Sequence, residues 1–365
     1  MNKSILLIPV IFLFGMLSCG DSGDEPIVDT FDRTMLLKNV VDSLMIPSFE
    51  NFTHKVSELE GAASVFNETP SIENLQALRG QWLDSYMAWQ HVSLFDIGKA
   101  DEIDFREKTN LYPTNTEAIE INIASSSINL DLPSTFDQQG FPAIDYLLHL
   151  PNMDDETLVS MYQGIDGQGR REYLSSLISI LVNNCSMILA DWNQKRTEWI
   201  LDAGNTATSL VNLLVNDYIL HYEKYIRTAK VGIPAGVFSN NVLPATTEAF
   251  FSKENSKTLL IEALRASKNF FIGMHETNGT GIEDYLDHLY LESGGTDVKN
   301  LILSQYGIIF ESLMNVGDNF STQVQSDNVA MLGLFDAMQE LVVFIKTDMT
   351  ARLNVRIDFV DTDGD

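Results

Sequence analysis

Apolar residues along this chain recur at intervals of three and four over seven long runs, the period that places side chains on one face of an α-helix. The runs cover residues 34–66, 71–97, 172–201, 206–230, 257–275, 297–320 and 328–353. In the second, Leu75, Leu78, Trp82, Tyr86 and Trp89 follow a capping serine, Ser71, at that spacing. An aromatic stripe of this kind predicts core. Pro47 falls within the first run and predicts a kink, because its ring cannot donate to the preceding turn. No run alternates with period two for long enough to predict a sheet. The pattern predicts an all-α protein built of helical bundles.

Polar, Pro/Gly-rich stretches, 98–141 and 231–244, separate the runs. Two phrases repeat around them. GFPAIDYLLHL (140–150) is echoed by GTGIEDYLDHL (279–289), 139 positions on (145 to 284). PTNTEAIE (113–120) is echoed by PATTEAFF (244–251), 131 positions on (113 to 244). Two matches in one order at nearly one offset predict an internal duplication. The expected architecture is two related, four-helix-type bundles with a pocket at their interface: residues 31–230, then 231–356, with an acidic tail at 357–365.

Composition agrees with a folded protein: 45% hydrophobic, 10% aromatic. The charge is strongly acidic, 51 Asp and Glu against 23 Lys and Arg, a net −28. Such a surface repels phosphate backbones and argues against a nucleic-acid partner. It suits cations, and it also keeps a protein soluble. Residues 1–19 form a secretory signal, with Lys3 ahead of an apolar stretch, 5–17. They end in MLSC, which resembles a lipobox, so Cys19 is the expected lipidation site and the membrane a partner through that lipid. Residues 20–30 read as a flexible acidic tether, and the location implied is the outer membrane, on its periplasmic or surface face. Cys185, in an apolar run, has no partner for a disulfide and predicts buried packing.

Candidate chemistry lies in the repeated phrases. Asp145 and His149 are one helical turn apart, as are Asp284 and His288, a spacing that could offer a metal two ligands. The same residues also fit an ordinary helix start, with Gly140 and Pro142 at its beginning. Glu117 and Glu248 occupy the Thr-Glu-Ala phrases and either cap helices or bring carboxylates together, with Glu120 one turn beyond Glu117. No phosphate loop, nucleophile elbow or His-Glu-x-x-His helix is present.

GFPAIDYLLHL, KVGIPAGVFSNNVLPATTEAFFS (230–252), GTGIEDYL (279–286) and the closing FVDTDGD resemble the imelysin-like family of bacterial lipoproteins. The resemblance includes Trp82–Trp89 and the Tyr112-Pro113 turn. It implies two bundles related by a repeat, with a pocket where they meet. It also implies a metallopeptidase designation and proposed iron binding, tied to a Gly-x-His-x-x-Glu motif. Here the glycine falls on Gly140, the histidine on Pro142 and the acid on Asp145, so the imidazole is missing. Pocket candidates are therefore Gly140, Pro142, Asp145, Tyr146, Glu117, Glu248, Asp284 and Lys230. Asp145, His149 and Glu117 are the candidate ligands for iron or another divalent metal, and no catalytic residue is assigned. The expected function is a non-enzymatic, membrane-anchored binding protein for iron, another metal or a small ligand. A metal-dependent peptidase and a surface interaction module are the alternatives.

Overall fold

The computed structural model describes residues 29–125, 128–275 and 278–358. The signal, Cys19 and most of the tether lie outside the described residues, as does the DTDGD tail. The protein is 72% helical, and no strand forms among the described residues.

The first long helix is continuous through three segments, Arg33–Asn39, Val40–Met45 and Ile46–Glu68. The middle segment is a π-turn, in which the Ile46 N–H reaches back to the carbonyl of Val41. This widened turn immediately precedes Pro47, the residue at which the sequence predicts a kink. Helix Ile72–Gln90 begins where Ser71 Oγ accepts from the Asn74 N–H at 3.2 Å. The first long helix packs against both Ile72–Gln90 and Gln168–Leu201. Between them Phe49, Phe52, Trp82, Tyr86, Trp89, Trp192 and Cys185 are all buried, as the stripe predicts. Indole N–H groups stay satisfied inside this core: Trp82 donates to the Phe141 carbonyl at 3.2 Å and Trp192 to that of Ile97 at 3.1 Å.

A second group comprises Ser256–Ile272, Val298–Leu313 and Asn328–Val343. Leu210–Leu220 runs straight on into His221–Gly232, and this long helix packs against Asn328–Val343 and Ser256–Ile272. It therefore sits with the second group, although its sequence precedes residue 231. The run at 297–320 stops at Leu313, turns at Met314 and Asn315, and resumes as the short Phe320–Ser326. Ile72–Gln90 touches Ser256–Ile272, and the described residues from Phe31 onward form one compact unit.

The polar stretches fold into short elements: Phe105–Asn110, Thr116–Ser125, Gly140–Leu148 and Pro244–Thr246. Gly140 allows the third of these to dock. Its φ is +73°, and a Cβ there would lie 2.2 Å from the carbonyl oxygen of Thr109.

Candidate functional site

The short elements deliver a buried polar knot to the face of Ile72–Gln90. At its centre the Glu248 carboxylate, 2% exposed, pairs with the Lys230 ammonium, 3% exposed. Asn110 Nδ2 donates to Glu248 Oε1 at 2.8 Å, and Gln90 Nε2 donates to the same oxygen at 3.3 Å. Gln90 Oε1 accepts from Lys230 Nζ at 3.0 Å. Tyr86 completes the set by donating its hydroxyl to Asn110 Oδ1 at 2.5 Å. Burial, with Glu248 next in effect, pushes the Tyr86 phenol well above its usual range. Burial pulls the Lys230 amine down, and Glu248 opposes that by holding the charge in place. Charges this deep persist only because each has a partner.

Two cavities flank the knot and share a wall made by Tyr112 and Pro113. The inner one, about 290 Å³, lies against the π-wound His221–Gly232 segment. Trp89, Tyr112, Tyr225 and Ile233 give it apolar and aromatic walls, and Arg106, His221, Lys224 and Lys230 also face it. Arg106 is fixed behind the wall by Asp217 at 2.6 Å, Asp96 at 3.4 Å and the Ser93 carbonyl at 2.8 Å. Burial raises the Asp96 carboxyl to about 7 despite that arginine. His221 Nε2 meets Ser93 Oγ at 2.8 Å. Burial, followed by the charges of Arg106 and Lys230, drives this imidazole well below its usual range, so it is neutral.

The outer cavity, about 330 Å³, is lined by Pro142, Asp145, Tyr146, Thr247, Phe250 and Phe251, among others. Asp145 is 1% exposed and fully engaged. Its oxygens accept the backbone N–H groups of Phe251, at 2.9 Å, and Ser252, at 3.0 Å. His149 Nδ1 stands 3.0 Å from the carboxylate, and its ring rests on Trp82. The helical-turn spacing of Asp145 and His149 thus produces contact, while the same carboxylate's bonds to Phe251 and Ser252 anchor Gly140–Leu148 to the 249–252 loop. Tyr146 turns its hydroxyl to Glu120 at 2.8 Å, and Glu120 also holds Arg170.

Of the other candidates, Gly140 supplies a close backbone approach, Pro142 lines the outer cavity, and Lys230 and Glu248 form the knot. Glu117 is exposed near the start of Thr116–Ser125 and lines neither cavity. Asp284 is likewise exposed and accepts from the Gly281 N–H at 2.8 Å, capping its own helix, Ile282–Ser293. Among the described residues no three His, Cys, Asp or Glu side chains converge as a metal site would require. Proline at 142, the engaged oxygens of Asp145 and an exposed Glu117 outside both cavities make a donor set that does not fit a protein-held metal ion. Arg106, His221, Lys224 and Tyr225 were not legible as site residues. The only trace is the run HYEKYIRTAK (221–230), which mixes aromatic and basic residues on an otherwise apolar helix.

The family model described as Peptidase_M75, Imelysin, matches residues 45–329. Iron-regulated protein A of Synechococcus elongatus is 22% identical over 185 residues, 48% of this chain and 47% of that protein. The match thus spans about half the length of that relative. Two solved structures share the fold. A chain described as a candidate iron-regulated protein A precursor, from Parabacteroides distasonis, superposes with a TM-score of 0.72 at 14% identity, over 91% of this chain and 97% of that one. An imelysin-like protein from Psychrobacter arcticum gives 0.67 at 19% identity, over 90% and 97%. An all-helical fold shared along its length, together with a family match across most of the sequence, places this chain in the imelysin family.

Proposed function

We propose that this protein is a membrane-anchored, non-enzymatic binding protein that holds a small organic ligand in the inner cavity and works in iron-linked physiology. The observation that carries this reading is the inner cavity itself, about 290 Å³ with aromatic walls and a few fixed polar groups. That size and lining is what small-molecule sites commonly have. The link to iron rests on the relatives' name, iron-regulated protein A. The anchor rests on the MLSC sequence at Cys19. A peptidase would need a metal with about three protein ligands and an open position, and the donor set around Asp145 does not provide them.

The test is a fragment screen by thermal shift on the mature protein and on Ile233→Trp, which narrows the inner cavity. Fragments that stabilise the wild type and lose their effect in the variant are expected. Fragments that act equally on both, or none that act, would refute the reading. Chelator-sensitive cleavage of a denatured protein substrate would refute its non-enzymatic part. For the anchor, Cys19→Ser is expected to move the protein from the membrane to the soluble fraction.

A further inference from the structure

The inner cavity has a chemical polarity opposite to that of the whole molecule. The chain carries a net −28, yet no Asp or Glu lines this cavity. The neighbouring carboxylates stand behind its walls and are already engaged. Asp217 and Asp96 hold Arg106, Glu248 holds Lys230, and Glu107 accepts from the Tyr225 hydroxyl. What faces inward is a set of donors and cations. The Lys224 ammonium rests 4.8 Å from the centre of the Tyr225 ring, and the Arg106 guanidinium lies 4.8 Å from the same centre. Lys224 has no carboxylate partner among the described residues. His221 is 3% exposed; its ring stacks on Tyr225, its Nε2 meets Ser93 Oγ, and its Nδ1 makes no hydrogen bond to the described residues.

The backbone supports the same reading. His221, Lys224, Tyr225 and Thr228 all reach the cavity from His221–Gly232, twelve residues of π-helix. Helices of this type make up well under one per cent of residues and appear mostly as single-turn insertions, often at functional sites. The wider turn sets a cation, an imidazole, a phenol ring and a hydroxyl on one wall.

On this basis we propose that the ligand of the inner cavity is a small aromatic mono-anion, with its ring between the Trp89 and Tyr112 walls and its carboxylate at the Lys224 end. This rests on the ligand-binding reading above and assigns the ligand's charge and shape. Lys224 is exposed, so its ammonium acts through solvent and its contribution is modest.

The experiment is calorimetric titration of the mature protein with three probes of one shape: benzoate, benzamide and benzylamine. Titrations run at neutral pH and low salt, on the wild type and on Lys224→Gln, whose exposed position leaves folding intact. Benzoate is expected to bind about threefold to tenfold more tightly than benzamide, and benzylamine most weakly. Lys224→Gln should remove the benzoate advantage and leave benzamide unchanged. Raising the salt should weaken benzoate alone. Benzamide or benzylamine binding as tightly as benzoate, or a benzoate advantage that survives Lys224→Gln, would overturn the anion assignment while leaving ligand binding in place. Silence from all three probes, matched by the absence of hits in the fragment screen, would overturn both.

Discussion

Replacing Asp145 with asparagine separates an anchoring role from a metal-binding one. The carboxylate accepts two buried backbone N–H groups, from Phe251 at 2.9 Å and Ser252 at 3.0 Å, and contacts His149 at 3.0 Å. Hydrogen bonds to an ionised acceptor contribute about 1.5–3 kcal/mol each. Asparagine keeps one oxygen and presents an NH2 group to a donor that has no other partner, so one bond is lost and the other loses its charge assistance. The change should cost about 2–4 kcal/mol, a large share of the stability of a typical domain. Urea unfolding followed by far-UV circular dichroism should show a lower midpoint with an unchanged slope. Hydrogen exchange should accelerate at the amides of Phe251 and Ser252 well beyond the rest of the chain. Equal unfolding midpoints and unchanged exchange at those amides would refute the anchoring role. Loss of a bound metal in the variant, measured by elemental analysis, would refute the conclusion that Asp145 holds none.

Three further substitutions probe the same region. Gly140→Ala forces a Cβ to within 2.2 Å of the Thr109 carbonyl at a φ of +73°; from left-handed strain and overpacking together it should destabilise the fold by about 2–4 kcal/mol in urea titration. Lys230→Met leaves Glu248 charged and unpaired inside the protein and should cost about 3–5 kcal/mol, while the double variant Lys230→Met with Glu248→Gln should recover part of that loss, as a double-mutant cycle would register. Burial holds the Asp96 carboxyl at about 7, above its unfolded value, so the folded state binds the extra proton between roughly pH 4 and 7. Stability therefore falls as pH rises through that window, and Asp96→Asn should flatten this decline relative to wild type in unfolding curves taken at several pH values.

The long helices were legible because each carries its own evidence of burial. Trp82, Tyr86 and Trp89 declare one face by spacing alone, and all three are buried. Boundaries were less legible where tertiary packing decides them. The helix expected at 206–230 begins at Leu210 and continues, in wider turns, to Gly232. Nothing in the sequence distinguishes a π-turn from an α-turn, since both use the same residues and differ by one in the hydrogen-bond register. The inner cavity was hidden for a related reason. Its walls come from residues near 89–93, 106–113, 221–233 and 246, brought together by contacts between distant segments. Among them only Lys230 was a pocket candidate beforehand; Trp89 was expected as core, and Tyr112-Pro113 stood out only as a turn shared with a known family.

The repeated phrases show most directly how local sequence and long-range contact divide the work. Both Asp-Tyr-Leu phrases form helix, which their own residues favour. Yet Asp145 is buried and bound to backbone more than a hundred positions away, whereas Asp284 is exposed and caps the first turn of its own helix. The difference arises from where each helix begins: at Gly140 itself in one case, and at Ile282, beyond Gly279 and Gly281, in the other. The Thr-Glu-Ala phrases diverge in the same way. Thr116 starts a helix that leaves Glu117 in water, while Pro244–Thr246 makes a single tight turn that sends Glu248 inward to Lys230. A short phrase is thus sufficient to specify a helix or a turn. Whether its acid becomes a surface group, a cap or a buried anchor depends on what the neighbouring segment offers it, and for Glu248 that offer is the buried ammonium of Lys230.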